Sequence, residues 1–234
     1  MKAFVLAGGL GTRLKPALGD VPKPLAPVAG RPFVAHVLAW LAAQGVREAV
    51  MCAGHGADRL RAGLGERAGE VALQWSIEEQ PLGTGGALAH AARFVEGPAV
   101  VVNGDTLARC GVWALERARW RRGALGAIAL YRVADAASRG RVECDGPRVA
   151  GFVEKDPAHV GPAWVNGGVY AFAPRLWARF PRAADGAALP CSLEREVLPA
   201  LAAEDQLAGL EVEGEFLDIG TPESWAEAGR RLAG

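Results

Sequence analysis

A glycine-rich run followed by basic residues is the first segment of the sequence that could do chemistry. The run Gly8-Gly9-Leu10-Gly11 comes directly after an apolar stretch, and Thr12, Arg13 and Lys23 follow it. Glycines after a buried strand let backbone N–H groups face a phosphate chain without obstruction by Cβ atoms. Arg13 can make bidentate contacts to phosphate oxygens, and Lys23 adds a second positive charge. A tight strand-to-helix turn would explain the glycines but not the three polar residues, so we predict a phosphate-binding loop.

The spacing of these glycines argues against the common dinucleotide site. The run matches neither the dinucleotide fingerprint nor the P-loop pattern. No acidic residue lies near position 30, where a ribose-binding carboxylate would be expected. A dinucleotide-dependent oxidoreductase is therefore disfavoured.

The rare residue types of this chain cluster in a few segments. Of the 26 basic residues only four are lysines, and the chain has only two asparagines and four threonines. These residues are Lys2, Lys15, Lys23, Lys155, Asn103, Asn166, Thr12, Thr84, Thr106 and Thr221. All except Lys2 lie in segments rich in glycine or proline. Because arginine replaces lysine easily on a solvated face but not at a phosphate, this clustering favours function over drift in composition.

Composition excludes several classes of protein. The formal net charge of zero argues against a dedicated nucleic-acid binder, and no apolar run approaches the length of a membrane span. The four cysteines, Cys52, Cys110, Cys144 and Cys191, lie far apart and form no metal-binding pattern. We expect reduced thiols and a cytoplasmic enzyme. The sequence leaves the oligomeric state open, a homo-oligomer included.

Alternating apolar strands and helices must position these residues. In the first half we predict strands over residues 2–7, 46–53, 71–77 and 99–102, and helices over 32–44, 57–64 and 85–95. In the second half we predict strands over 125–133, 141–144, 149–154 and 165–172, and helices over 192–201 and 222–232. Asp145-Gly146-Pro147 is typical of a hairpin turn, and Ser192 is a candidate helix cap. The pattern predicts a single α/β Rossmann-like domain over 1–234, with a mostly parallel twisted sheet and helices on both faces. Ligands of such sheets bind beyond the carboxyl ends of the strands.

Several motifs together resemble one family. The pattern L-A-G-G-x-G-T-R-L followed by P-K-P-L resembles the opening signature of sugar-1-phosphate nucleotidyltransferases. The similarity continues over nearly the whole chain, through Q-P-L-G-T-G-G-A (80–87), N-G-D (103–105), F-V-E-K (152–155), N-G-G-V-Y (166–170) and F-L-D-I-G-T-P (216–222). Within the family, the chain is most similar to D-glycero-D-manno-heptose 1-phosphate guanylyltransferases.

The resemblance implies a role for each matching residue. Arg13 and Lys23 would be catalytic, with Arg13 on the β- and γ-phosphates and Lys23 on the α-phosphate. Asp105 and Asp218 would share one Mg²⁺, a hard cation that carboxylates suit. The other implied nucleotide-binding residues are Leu6, Ala7, Gly8, Gly9, Gly11, Thr12, Gln80, Gly83, Thr84 and Gly85. The implied sugar-phosphate-binding residues are Asn103, Gly104, Glu154, Lys155, Asn166 and Gly167.

Structural roles remain open for four of these polar residues. Asp105 and Asp218 could be helix caps, and Glu154 and Asn166 could be turn residues satisfied by the backbone.

The resemblance implies transfer of GMP from GTP to a heptose 1-phosphate, giving a GDP-heptose for surface glycan assembly. Residues 1–124 would bind mainly the nucleotide, and residues 125–234, a small α+β portion joined without a linker, mainly the sugar phosphate. Two alternatives stay open. One is transfer to another sugar 1-phosphate, such as mannose 1-phosphate, or from another nucleoside triphosphate. The other is a catalytically silent domain that binds a sugar nucleotide and regulates a partner.

Overall fold

The strands and helices alternate along most of the chain, as the sequence predicts. The structure is a computed structural model that describes residues 1–9, 11–137, 139–214 and 216–233, so Leu10 of the glycine-rich run lies outside the described residues. The strands are β1 (Lys2–Leu6), β2 (Pro27–Val28), β3 (Arg31–Pro32), β4 (Glu48–Ala53), β5 (Arg67–Ala68), β6 (Val71–Ile77), β7 (Ala99–Asn103), β8 (Thr106–Ala108), β9 (Gly126–Val133), β10 (Arg141–Asp145), β11 (Arg148–Val153), β12 (Ala163–Phe172), β13 (Leu207–Val212) and β14 (Phe216–Asp218). The α-helices are α1 (Lys15–Leu18), α2 (Phe33–Ala43), α3 (Ala57–Leu64), α4 (Gly83–Ala91), α5 (Val112–Arg121), α6 (Leu198–Ala203) and α7 (Pro222–Leu232).

One ten-stranded sheet runs through both halves of the chain. Its strand order is β10-β11-β13-β9-β12-β7-β1-β4-β6-β5. The four strands β7, β1, β4 and β6 are parallel to one another, so their carboxyl ends meet at one edge. The loops after β1, β4, β6 and β7 therefore open on the same side of the sheet, where ligands of such sheets bind.

The prediction of a mostly parallel sheet needs one correction. Within the described residues, four of the nine neighbouring strand pairs are parallel and five are antiparallel. The antiparallel pairs lie mainly in the second half, because β12 runs antiparallel to both β7 and β9. The hairpin β10–β11 adds another, since a two-residue turn can join only antiparallel strands. The α/β fold is confirmed, with its parallel part concentrated in the first half.

Two hydrophobic cores cover the two faces of the sheet. Alternate residues of β1 point to opposite faces, with Ala3 and Val5 in one core and Phe4 in the other. Helices α2, α3, α5 and α7 contribute buried residues to the first core, and α4 and α6 contribute to the second. The predicted helices on both faces are confirmed.

The bounds of most predicted elements agree with the structure, but some details differ and several strands were not predicted. The helix predicted from 85 begins at Gly83 and continues after Ala91 as a 3-10 turn. The helix predicted over 192–201 starts with a π-helical turn, Leu193–Val197, which Ser192 caps as expected by accepting from the Arg195 N–H. Strand β13, which pairs in parallel with β9, was not predicted, and neither were the short strands β2, β3, β5, β8 and β14. Among the described helices, none combines the length and the hydropathy that crossing a membrane requires.

Candidate active site

The glycine-rich loop after β1 lies at the edge where the parallel strands end. The Ala7 N–H donates to the Cys52 carbonyl (2.8 Å), which fixes the start of the loop against β4. Gly8 packs closely there, because a Cβ added to it would lie 3.2 Å from the Gly54 nitrogen. Gly9 has open space around it instead. Gly9, Gly11 and Lys23 line a cavity of about 330 Å³. The predicted phosphate loop therefore has one closely packed glycine and one that faces open space.

The N-G-D segment is attached directly to this loop. Leu6 and Asn103 are paired in the parallel ladder of β1 and β7. The Gly104 N–H donates to the Leu6 carbonyl (2.8 Å), and a Cβ on Gly104 would lie 2.9 Å from the same oxygen. Glycine is therefore needed at 104 so that Asp105 can turn over the end of β1.

A small two-stranded sheet brings the two predicted metal ligands together. Strand β14 pairs antiparallel with β8, and Asp218 stands opposite Thr106. The ladder is extended by the Ile219 N–H, which donates to the Asp105 carbonyl (3.1 Å). The two aspartates, far apart in sequence, are thus neighbours across paired strands. Neither is a helix N-cap, because α5 begins after Gly111 and Thr221 caps α7.

Four predicted residues, Arg13, Lys23, Asp105 and Asp218, form what we call the charged cluster. The Lys23 Nζ lies 2.5 Å from Asp105 Oδ2. A Cβ placed on Gly220 would lie 3.0 Å from Asp218 Oδ1 and 3.9 Å from both Arg13 Nη2 and Lys23 Nζ. Gly220 thus leaves open the space between both catalytic candidates and a metal-ligand candidate. The side chain of Lys23 is only 13% exposed, whereas Arg13 is an exposed residue.

Asp218 has an extra partner that the sequence did not reveal. Asp218 Oδ1 accepts from the Gly220 N–H (3.0 Å) and the Ser224 hydroxyl (3.3 Å), and Oδ2 accepts from Arg139 Nη2 (3.1 Å). Burial alone would raise the pKa of this carboxyl. The Gly220 N–H and the Arg139 charge outweigh burial, with a further contribution from Ser224, and hold the pKa below its usual value. Asp218 is therefore ionised at neutral pH and ready to face a cation.

The donor set of the cluster fits Mg²⁺ as a partner of substrate phosphates. Mg²⁺ is usually held by one or two carboxylates plus phosphate oxygens and waters. Asp105 and Asp218 supply two carboxylates at one place, beside the cations Arg13 and Lys23 that suit phosphates. No group of three or more histidine, cysteine, aspartate or glutamate side chains arranged for a metal occurs within the described ranges. A closed, all-protein metal site is thus not the arrangement seen there.

The second glycine-rich segment, residues 83–86, is packed rather than open. A Cβ on Gly83 would lie 2.6 Å from the Cys191 carbonyl oxygen, and one on Gly86 would lie 2.7 Å from the Leu189 oxygen. The N–H groups of Gly85 and Gly86 both donate to the Cys191 carbonyl (2.9 and 3.1 Å). The Gly85 N–H therefore already has a protein partner. Gln80, just before this segment, is exposed.

Thr84 connects this segment to a glutamate missing from the predicted site. The Thr84 hydroxyl donates to Glu194 Oε2 (2.6 Å) and accepts from the Leu193 N–H (2.8 Å). The Ser192 hydroxyl also donates to Glu194 (3.2 Å). The sequence predicts a helix over residues 192–201 but assigns no role to Glu194. The pairing of Glu194 with Thr84, 110 positions away, follows from the fold.

Asn166 and Gly167 lie where β12 is irregular. The Asn166 amide donates to the Tyr170 hydroxyl (2.8 Å), and its carbonyl oxygen accepts from the Gly168 N–H (2.8 Å). A Cβ on Gly167 would clash with the Tyr131 ring at 2.6 Å. A Cβ on Gly168 would lie 2.8 Å from the Asn103 amide, so this irregularity adjoins the N-G-D segment. These contacts match the alternative of a turn residue satisfied locally, and a sugar contact at Asn166 stays a prediction.

Glu154 and Lys155 stand apart from the charged cluster. Both are exposed in the loop that follows β11. Across the described part of the chain, no hydrogen bond or ion pair joins Lys155 to the cluster. Their assignment to the sugar phosphate therefore stays a prediction.

A third unpredicted residue, Glu78, lies behind the glycine-rich loop. Its Oε1 atom would be 3.3 Å from a Cβ on Gly8 and 2.8 Å from one on Gly54. Burial raises the pKa of Glu78, and a hydrogen bond from the Leu82 backbone opposes that rise. Glu78 thus lies between the first glycine loop and the second.

The family of the chain follows from comparison with known proteins. Residues 2–233 match the family described as Nucleotidyl transferase. The match covers the glycine-rich loop, the charged cluster and the packed second loop alike. The chain belongs to the nucleotidyl transferase family.

Two curated relatives of this chain carry the name of mannose-1-phosphate guanylyl- or guanyltransferases. The chain is 32% identical over 232 residues to the mannose-1-phosphate guanylyltransferase catalytic subunit beta of Xenopus tropicalis, covering 96% of this chain. It is 32% identical over 233 residues to a mannose-1-phosphate guanyltransferase of Aspergillus fumigatus. The chain spans 62% of the length of each of these curated relatives.

Two solved structures are similar to this chain over 99% or more of its length. HddC from Yersinia pseudotuberculosis, complexed with GMP-PN, is 28% identical and superposes with a TM-score of 0.85, covering 99% of both chains. A putative glucose-1-phosphate thymidylyltransferase from Bacillus anthracis, at 21% identity and a TM-score of 0.83, shares the fold.

Proposed function

We propose that this protein is a sugar-1-phosphate guanylyltransferase. The observation that carries the proposal is the charged cluster, in which two cations and two carboxylates surround the space beside Gly220 at the mouth of the glycine-rich loop. Membership of the nucleotidyl transferase family supports the same reaction class. In this reaction an oxygen of the sugar 1-phosphate attacks the α-phosphorus of GTP. The bond from that phosphorus to the bridging oxygen breaks, pyrophosphate leaves, and a GDP-sugar forms.

The chain needs to supply position and charge rather than a general base. The attacking phosphate oxygen is already an anion, so the barrier comes from charge repulsion and alignment. Arg13 would hold the β- and γ-phosphates and Lys23 the α-phosphate. Gly8, Gly9, Gly11 and Thr12 would offer backbone and hydroxyl donors to the same phosphate chain. Leu6 and Ala7 would shape the floor of the loop.

Asp105 and Asp218 would hold Mg²⁺ in this proposal. When bound, the ion neutralises phosphate charge and polarises the reacting phosphorus. Lys23 forms an ion pair with Asp105. To contact the α-phosphate in this proposal, its ammonium would turn from Asp105 to a phosphate oxygen.

Guanine is the base we propose, with Gln80, Gly83, Thr84 and Gly85 on the base side of the nucleotide. Support comes from the guanylyltransferase relatives and from HddC, whose crystals contain GMP-PN. We assign residues 1–124 mainly to the nucleotide and residues 125–234 mainly to the sugar phosphate.

For the sugar, we propose D-glycero-D-manno-heptose 1-phosphate, bound by Asn103, Gly104, Glu154, Lys155, Asn166 and Gly167. The combined motifs of the sequence and the likeness to HddC over 99% of both chains support this choice. The curated relatives favour mannose 1-phosphate as the second candidate. Both are aldose 1-phosphates and require the same phosphate chemistry.

A reducing, cytoplasmic setting is part of the proposal. All four cysteines are free thiols, and Cys52, Cys110 and Cys191 are buried. Burial also raises the pKa of the Cys110 thiol to about 12, which keeps it unreactive.

Pyrophosphate release over a grid of substrates tests the proposed function. The grid crosses the four common nucleoside triphosphates with heptose, mannose and glucose 1-phosphates, in the presence of Mg²⁺. We expect one strong signal at GTP with heptose 1-phosphate. A strong signal at GTP with mannose 1-phosphate would keep the reaction and replace the sugar. Silence over the grid, with a GDP-sugar still binding in calorimetry, would overturn the enzyme in favour of a regulatory binding domain.

A further inference from the structure

Arg139 occupies a carboxylate that the proposed reaction needs for a cation. Its Nη2 atom lies 3.1 Å from Asp218 Oδ2, while Oδ1 is taken by the Gly220 N–H and the Ser224 hydroxyl. A divalent cation that approaches Oδ2 would meet the positive charge of the Arg139 guanidinium, so the two cations compete for that oxygen. The pair therefore opposes metal binding at this part of the candidate site.

The guanidinium of Arg139 is held in a way that permits such a movement. Its side chain is 41% exposed, and its guanidinium also lies over the Phe216 ring, 4.9 Å from the ring centroid. Arg139 also lines a cavity of about 270 Å³ together with Arg132 and Arg231. The cavity offers space for a displaced side chain. Glu227 lines the same cavity and forms an ion pair with Arg231, so a carboxylate already offsets part of the positive charge there.

Each carboxylate of the cluster is paired with a cation of the protein. Lys23 pairs with Asp105, and Arg139 pairs with Asp218. Two carboxylates brought together across β8 and β14 would otherwise repel each other. The two ion pairs thus offset this repulsion.

We propose that Arg139 is a resident counter-ion of Asp218, exchanged for the divalent cation when metal and nucleotide bind. This inference rests on the proposed function, because it takes Asp218 as a metal ligand. Arg139 acts through Asp218, as a positioning residue that lowers the affinity for metal and keeps the carboxylate in place. As a result, the guanidinium and the metal compete for Asp218 Oδ2.

Mn²⁺ binding to the nucleotide-free protein tests the exchange without relying on activity. Free Mn²⁺ is followed by electron paramagnetic resonance as it is titrated into wild type and R139Q. We expect R139Q to bind Mn²⁺ about two- to fivefold more tightly, because a partly exposed ion pair competes only modestly. R132Q is the matched control, since Arg132 lines the same cavity and stacks on Trp164 without contacting Asp218. We expect wild-type affinity in R132Q.

The outcomes separate this inference from the proposed function. Equal or weaker Mn²⁺ affinity in R139Q, or no binding in either protein, would overturn the counter-ion role. If R139Q fails to fold, R139K replaces it. R139K keeps a cation beside Asp218, so wild-type affinity is expected and a large gain in affinity would contradict the proposal. Adding D218N to R139Q should abolish the gain in Mn²⁺ affinity. If the protein is active in the substrate grid but wild type and R139Q bind Mn²⁺ equally well, the proposed guanylyltransferase function would be supported and only the role of Arg139 would be overturned.

Discussion

The two glycine-rich segments of this protein serve opposite purposes. In the first, a Cβ added to Gly9 would have no atom within 4 Å among the described residues beyond its chain neighbours, and the loop opens on a cavity beside Lys23. In the second, Gly83 and Gly86 lie so close to the backbone of residues 189–191 that a Cβ would come within 2.7 Å of a carbonyl oxygen. Glycine thus gives access to a ligand in one segment and allows close packing in the other.

This difference indicates which of the two segments serves function and which serves stability. The first loop and the charged cluster keep donors and charges facing open space. In the second loop, the N–H groups of Gly85 and Gly86 already donate to the Cys191 carbonyl. Substitutions in the first region should therefore change turnover, whereas a side chain added at Gly86, a packed position of the second loop outside the proposed base contacts, should change the free energy of unfolding.

The largest effect is expected for D105N in the open region. Loss of the carboxylate removes a candidate metal ligand and the partner of Lys23. We expect turnover to fall about a thousandfold, with a melting temperature near that of wild type. Pyrophosphate release and differential scanning calorimetry measure the two quantities. A large drop in melting temperature with turnover retained would make Asp105 a structural residue.

K23A should have the next largest effect, again on the rate. Because Lys23 is assigned to the α-phosphate, we expect kcat to fall about a hundredfold and the affinity for sugar phosphate to change little. K15A is the control, since Lys15 lines the same cavity but is an exposed residue. Equal losses in rate and in sugar-phosphate affinity would remove Lys23 from the transferring phosphate.

G86A should affect stability in the packed region. The added Cβ would lie 2.7 Å from the Leu189 carbonyl oxygen and 2.8 Å from the Leu82 Cβ, so backbone must move. We expect a loss of about 1–3 kcal/mol in the free energy of unfolding, measured by urea denaturation. An unchanged midpoint would show that the second loop is not tightly packed.

G9A should produce a smaller effect of the opposite kind. Among the residues that the structure describes, none beyond the chain neighbours comes within 4 Å of a Cβ at this position, so the stability should stay within about 0.5 kcal/mol of wild type. The same methyl group would stand between backbone donors and the phosphate chain. We expect kcat/KM to fall about tenfold. Destabilisation with intact kinetics would reverse the assignment of the two loops.

E78Q should have the smallest effect, at the boundary between the regions. Burial raises the pKa of Glu78 in the folded protein, so the unfolded chain loses this proton at lower pH. The charged form is therefore disfavoured by folding, and stability falls as the pH rises past the unfolded pKa, near 4.5. We expect E78Q to raise the melting temperature slightly at pH 7 and to have no effect below that pKa. A lower melting temperature at pH 7 would mean that the carboxylate makes a favourable contact there.

The local parts of the fold and site were predictable from the sequence because they depend on neighbours along the chain. The apolar run of β1 ends at glycines, and Asp145-Gly146-Pro147 forms the hairpin turn that its residue types favour. The helix over 222–232 has the predicted bounds, with Thr221 and Ser224 forming a capping box. Local hydrogen bonds and backbone preferences suffice to define these elements.

The unpredicted parts depend on partners distant in sequence. Strand β13 carries Gly209, a residue that disfavours strands, yet its Cβ position lies 2.8 Å from Leu130 and close packing requires glycine there. The Arg139–Asp218 pair joins residues 79 positions apart, and the Thr84–Glu194 bond joins residues 110 apart. Neither arginine nor glutamate is rare in this chain, so residue type gave no signal.

The fate of the α-phosphate of GTP tests the central claim most directly. The protein is incubated with Mg²⁺, heptose or mannose 1-phosphate, and GTP labelled with phosphorus-32 at the α-position, and the products are separated. The proposed function predicts label in a GDP-sugar, formed in equal amount to the pyrophosphate released, and loss of both in D105N. Label appearing only in GMP or GDP, without a labelled sugar nucleotide, would contradict a nucleotidyl transfer to sugar phosphate.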